Sequence, residues 1–255
     1  MRGDGRASSR TRDAPAVPDT SRRLLAGIVG LAIAICATSI VAAATSTSTA
    51  HDRGVVMFVG DSNITIASGA LMWGTTWGTH HDNSYTPVFA PRVGAGIRTP
   101  DCAPAVTQCT TSDFWKTKLG EILPNVTIDA VVTDLGINDT AALGTRTSLG
   151  YSYYGQKIDW FMRLIPADRP VFWTNLPCAI EPSSRRTGCQ YVNASLANAR
   201  LRWPNLIVLN WGAAANSHPE YMASPGTDIH YSARGSGTLA GFVVAALDAR
   251  FPIPP

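Results

Sequence analysis

The chain predicts an α/β fold, one three-layer α/β/α sandwich around a parallel five-stranded sheet. Two observations carry that expectation. Short apolar runs rich in β-prone residues alternate with stretches of helical spacing from residue 55 to the C-terminus, with no internal repeat. Several of those runs end abruptly in polar or glycine-rich turns, which in an open parallel sheet lie at the carboxyl edge, where such folds place their ligands.

The first run, Val55-Val56-Met57-Phe58-Val59, stops at Gly60-Asp61-Ser62-Asn63, and a helix follows from about Ile64 to Met72. A serine therefore stands where a buried strand turns into a helix, and the helix-start amides favour negative charge beside it. The plain alternative is that Asp61-Ser62-Asn63 only caps the helix. Trp73 to Asn83 is too rich in Gly and Thr to be regular, and its two tryptophans either line a pocket or pack beneath the loop. His80-His81-Asp82 is a weak metal candidate, because adjacent histidines point different ways. Thr86 to Val93 reads as a second strand, placed at a sheet edge by Pro87 and Pro91. The Gly94-Ala95-Gly96 that follows lacks the third glycine of a dinucleotide fingerprint, since Thr99 stands there.

Residues 112 to 122 form a helix, and Ile128 to Thr133 a strand that delivers Gly136-Ile137-Asn138-Asp139. Ile158, Phe161, Met162 and Ile165 share one face of a helix over Tyr151 to Leu164. Arg169 to Asn175 is a strand, Ala194 to Trp203 a helix, Leu206 to Trp211 a strand and Thr238 to Ala249 a closing helix.

Serine, asparagine and histidine thus each lie at the end of an element: Ser62, Asn138 and His230, the last beside Asp228. The order Gly60-Asp61-Ser62, a glycine after the second strand, Gly136-Ile137-Asn138-Asp139 and a late Asp-His resembles the SGNH (GDSL-type) serine hydrolase family over most of residues 54 to 245. The resemblance implies a flavodoxin-like sheet and an esterase that needs no metal or nucleotide. It implies three donors for a tetrahedral oxyanion: the Ser62 amide, the Gly96 amide, with Gly94 as the alternative, and the Asn138 side chain. A serine hydroxyl needs a base, and His230 is the candidate, with an ordinary pKa near neutrality. The family's acid stands three residues before the histidine, but that position is Thr227 here. Asp228, two residues before, is the candidate acid; a Ser-His dyad or Glu220 are the alternatives. The absence of a Gly-x-Ser-x-Gly speaks against an α/β-hydrolase elbow.

Residues 1–23 hold six arginines and three acids among Ser, Thr, Pro and Gly, and read as a basic disordered leader. Leu24 to Ala44 carries no charge and is long enough to span a bilayer, as an anchor or as a signal segment cut near Ala42-Ala43-Ala44. Arg22 and Arg23 would stay in the cytoplasm, so the domain at 54–255, joined by a linker at 45–53, is expected outside it. Without the leader the acidic and basic residues balance, which speaks against a nucleic-acid surface. Cys36 lies in the apolar segment, and Cys102 with Cys109 and Cys178 with Cys189 form two local pairs suited to disulfides in an exported domain.

The expected activity is hydrolysis of an acyl or acetyl ester through an acyl-enzyme on Ser62. The partner would be an acyl ester, including a cell-envelope glycan or lipid. The alternatives are an O-acyltransferase acting on an envelope glycan and a non-catalytic glycan-binding module on the same fold.

Overall fold

Strand β1, Val55–Gly60, sits inside a parallel sheet because its neighbours pair with it on both sides, with Met57 opposite Val88 of β2, Thr86–Pro91, and opposite Val131 of β3, Ala130–Thr133. Strands β4, Val171–Thr174, and β5, Leu206–Leu209, extend the sheet to the order β2-β1-β3-β4-β5, all pairs parallel. The edge position expected for the proline-bearing β2 is the one observed. The computed structural model describes residues 53–76, 85–97, 113–145 and 150–252. All belong to one compact unit, Thr45–Pro255. The leader, the apolar segment at 24–44, Trp77, His80, His81, Asp82, Cys102 and Cys109 lie outside the described residues.

Alternation along the strands sends side chains to two cores. Met57, Val59, Val131 and Trp173 pack on one face with Trp115 and Leu119 of α2, Asp113–Ile122, with Ile158 and Phe161 of α4, Gly150–Met162, and with Val192 and Leu196 of α5, Arg186–Ala199. Val56, Phe58, Val132 and Phe172 pack on the other with Ile64, Ala67 and Leu71 of α1, Ser62–Thr76, and with Leu239, Val243 and Leu247 of α7, Ala233–Arg250. Apolar burial on both faces is what a parallel sheet under two helix layers requires. The short helices α3, Thr140–Thr145, and α6, Trp211–Ala215, follow β3 and β5.

Three helices differ most from the sequence reading. Helix α1 begins at Ser62 itself and runs through Trp73 to Thr76, so Trp73 belongs to the helix, where it is 64% exposed. Helix α5 begins at Arg186, eight residues before the expected start, because burial of Gly188, Cys189 and Val192 against neighbouring elements overrides the weak helical preference of Gly and Asn there. Helix α7 begins at Ala233, where the Ser232 side chain accepts from the Gly235 amide as an N-cap.

Candidate active site

Ser62 is the first residue of α1, and the residue before it closes the helix end: Asp61 Oδ1 accepts from the Asn63 amide at 2.8 Å. Ser62 therefore stands at the carboxyl edge of β1, only 6% exposed. His230 Nε2 lies 3.0 Å from Ser62 Oγ, although 168 residues separate the two. On the other side of the ring, His230 Nδ1 lies 2.6 Å from Asp228 Oδ1.

The two-residue spacing of Asp228 and His230 works because the carboxylate folds back over its own loop. Asp228 Oδ1 accepts from the Ile229 amide at 2.7 Å and the His230 amide at 3.1 Å while it meets the ring. Gly226, at φ +74°, turns the chain just before it, a left-handed conformation that favours glycine. Burial acts to raise the Asp228 pKa, but the bonds from the His230 ring and from the His230 and Ile229 amides outweigh it and leave the acid lowered. Thr227, at the position of the family's acid, turns its hydroxyl to the Ser224 carbonyl instead. Glu220 pairs with His218 Nδ1 at 3.0 Å and faces Arg234.

Asn138 is carried by a 3-10 turn, Ile137–Asp139, at the end of β3. Gly136 enters that turn at φ +143°. Asn138 Nδ2 donates to Asp61 Oδ2 and to the Ala95 carbonyl, both at 2.9 Å, so the asparagine meets the serine turn and the loop after β2 together. Gly96 is buried in that loop, and a Cβ on it would stand 2.2 Å from Asp139 Oδ1. Asp139 Oδ2 accepts from the Ile97 amide and from the Tyr154 hydroxyl, each at 3.0 Å, which fixes the loop beside Asn138. Among the described residues no acceptor takes the Gly96 amide. Gly94 stands in a turn at φ +75°, closed by the Ala95 amide on the Arg92 carbonyl.

The fold thus brings Ser62, Asn138, Asp228 and His230 to one end of the sheet, with Gly94 and Gly96 on the adjoining loop. It also recruits residues that sequence reasoning passed over. Asn63 Nδ2 donates to the Ile229 carbonyl at 3.0 Å and Asn63 Oδ1 accepts from the Tyr231 amide at 3.1 Å, gripping the backbone on both sides of His230. Arg185 donates to the Ile137 carbonyl at 3.0 Å and so holds the Asn138 turn from the loop after β4. That loop is tied to α5 by the Cys178–Cys189 disulfide, as expected for this local pair. The one legible signal among them was Asn63, inside the Gly-Asp-Ser-Asn run.

Among the described residues no group of three or more His, Cys, Asp and Glu is placed to hold a metal ion. No described helix is long and apolar enough to cross a membrane.

Neither a protein-family model nor a curated protein sequence matches the chain. Solved structures do resemble it. A GDSL-like lipase from Bacteroides thetaiotaomicron has a TM-score of 0.53 at 19% identity, over 82% of this chain and 94% of its own. A lipase/acylhydrolase from Enterococcus faecalis has a TM-score of 0.52 at 13% identity, over 79% and 98%. The C-terminal catalytic domain of peptidoglycan O-acetyltransferase A from Streptococcus pneumoniae, solved with a methylsulfonyl adduct, has a TM-score of 0.51 at 16% identity, over 76% and 92%.

Proposed function

We propose that this chain, whose fold is that of the SGNH (GDSL-type) hydrolases, is an exported serine esterase that cleaves an acyl or acetyl ester through an acyl-enzyme on Ser62. The observation that carries the reading is the continuous chain from Ser62 Oγ to His230 Nε2 and from His230 Nδ1 to Asp228 Oδ1. In this reading the His230 ring takes the hydroxyl proton as Ser62 attacks the ester carbonyl, and Asp228 holds the ring in the tautomer that leaves Nε2 free to accept. The Ser62 amide, the Gly96 amide and Asn138 Nδ2 receive the negative oxygen, with Gly94 as the alternative glycine. Each such donor is worth ~10²–10³ in rate. His230 then returns the proton to the leaving alcohol, and water releases the acyl group.

A sugar hydroxyl in place of that water would make the same acyl-enzyme an O-acyltransferase. The likeness to the pneumococcal O-acetyltransferase domain supports this second reading. Export is supported by the Cys178–Cys189 disulfide, a bond that persists in oxidising compartments, and by the apolar run at 24–44.

A serine-directed phosphonate tests the nucleophile. Mass spectrometry is expected to find the adduct on the peptide that carries Ser62, with Ser62→Ala unlabelled and inactive on esters. An adduct on Ser68 or Ser232, or full turnover by Ser62→Ala, would end the esterase reading. Esters of graded acyl length, with and without a glycan acceptor, then separate hydrolysis from transfer.

A further inference from the structure

The proposed reaction needs a hydrogen bond donated by Asn138, yet both N–H groups of its Nδ2 are engaged, one on Asp61 Oδ2 and one on the Ala95 carbonyl. An oxyanion can therefore receive Asn138 only by replacing one of these two acceptors. The Ala95 carbonyl is neutral. The charge on Asp61 depends on its neighbour Asp134.

Asp61 is fully buried and Asp134 is 2% exposed. Asp134 Oδ1 lies 2.3 Å from where a Cβ on Gly60 would stand, so its carboxyl packs under the turn that holds Asp61. Two carboxyls in one dry site do not both ionise at neutral pH. Their hydrogen bonds decide which one does. Asp61 takes the Asn63 amide on Oδ1 and Asn138 on Oδ2, whereas neither Asp134 oxygen accepts a bond among the described residues. Donors stabilise a carboxylate, so the charge belongs on Asp61 and the proton on Asp134.

Burial raises both acids, so it is the hydrogen bonds and not burial that separate them. Burial pushes Asp134 up to about 7, and the Asp61 and Asp134 amides that face it stop short of hydrogen-bond geometry. Burial pushes Asp61 well up too, an ionised Asp134 would push it further and Asp139 adds to this, while the Asn63 amide and Asn138 oppose it. With the proton on Asp134 the second of these pushes is relieved, and the two donors keep the charge on Asp61. Tyr231, the remaining titratable group facing the pair, is itself held protonated by burial. A bond to a charged acceptor is roughly twice as strong as one to a neutral acceptor. The bond that yields to the oxyanion is therefore the one to Ala95.

We propose that Asp61 is a positioning residue for the oxyanion donor: its carboxylate keeps hold of Asn138 throughout the reaction, beside a protonated Asp134, while the second N–H of Asn138 redirects its hydrogen bond from the Ala95 carbonyl to the oxyanion. The inference rests on the esterase reading. It turns the aspartate of the Gly-Asp-Ser run from a helix cap into a part of the oxyanion machinery.

The test is a double-mutant cycle on kcat and KM for an ester that the wild-type protein hydrolyses. Asp61→Asn and Asn138→Ala should each lower kcat by about 10²-fold with KM within about threefold. The double variant should lie within about threefold of Asn138→Ala alone, since both changes remove the same contact. Losses that multiply in the double variant, or a loss confined to KM, overturn the proposal. A second measurement stands apart from activity. The infrared difference between wild type and Asp134→Asn in mildly acidic buffer should contain the C=O stretch of a buried protonated carboxyl, and its absence overturns the proton assignment. Wild-type protein that neither hydrolyses esters nor takes the phosphonate sinks the esterase reading and this inference together; multiplying losses in an active, labelled enzyme sink this inference alone.

Discussion

Replacing Asn63 by alanine removes one side chain that holds the histidine loop from both sides. Asn63 is 2% exposed, and its amide carries the bonds to the Ile229 carbonyl and the Tyr231 amide. Truncation leaves those two backbone groups without their partner, at about 1–3 kcal/mol per unsatisfied buried group. A loss of about 2–6 kcal/mol is therefore expected, or roughly 4–24 °C in Tm for a domain of this size. The kinetic consequence is larger than the loss of stability suggests, because His230 lies between the two anchored residues. Displacement of a reacting group by ~1 Å costs ~10²-fold in rate, and kcat should fall by about that factor while KM changes little. Thermal unfolding followed by circular dichroism, together with ester kinetics below the melting range, measures both. Asn63→Asp sharpens the test, since it keeps an acceptor for Tyr231 but sets a carboxylate against the Ile229 carbonyl. It should be destabilised at neutral pH and recover in acid as that carboxyl protonates. An Asn63→Ala protein with unchanged Tm and kcat would refute the reasoning and assign the loop to its other contacts, such as the Ala223 amide on the His230 carbonyl.

Asp228→Asn should leave the fold and KM nearly intact and cut kcat on the order of 10³-fold or more, since an amide favours the wrong histidine tautomer; a loss within about tenfold would favour a Ser-His dyad. Burial lifts Glu181 to about 8, with Arg185 opposing and Asp228 adding to the rise. The folded state therefore keeps a proton that the unfolded chain releases above its ordinary carboxyl pKa, so stability falls as pH rises from about 4.5 towards 8. Glu181→Gln should flatten that decline by on the order of 4 kcal/mol, read from urea unfolding at several pH values, and an unchanged slope would refute the assignment. Denatured, unreduced protein comprising residues 45–255 should contain no free thiol; two free thiols would disprove the pairing of Cys102 with Cys109. Reducing Cys178–Cys189 should cost ~2–3 kcal/mol by loop entropy, and an unchanged Tm after reduction would count against it.

The alternation of apolar strands and helices was legible in the chain because strand burial and helix spacing are local properties. So were the edge position of β2, which two prolines dictate, and the placing of Ser62 and Asn138 after strands that end at the carboxyl edge, whereas His230, in the loop before the last helix, was grouped with them by the family resemblance. The start of α5 was not legible. Residues 186–193 lack strong helical preference and become helical against a disulfide and neighbouring helices that a linear reading does not contain. The carboxylate partner of His230 was half legible: proximity singled out Asp228, but only the folded loop, turned by Gly226 and wrapped around the Asp228 carboxylate, aims it at the His230 ring from two residues away. Tertiary structure alone decided the partners of Asp61, Asn63 and Asn138. Their hydrogen bonds join segments distant in sequence, and no periodicity in the chain encodes which buried donor will face which acceptor.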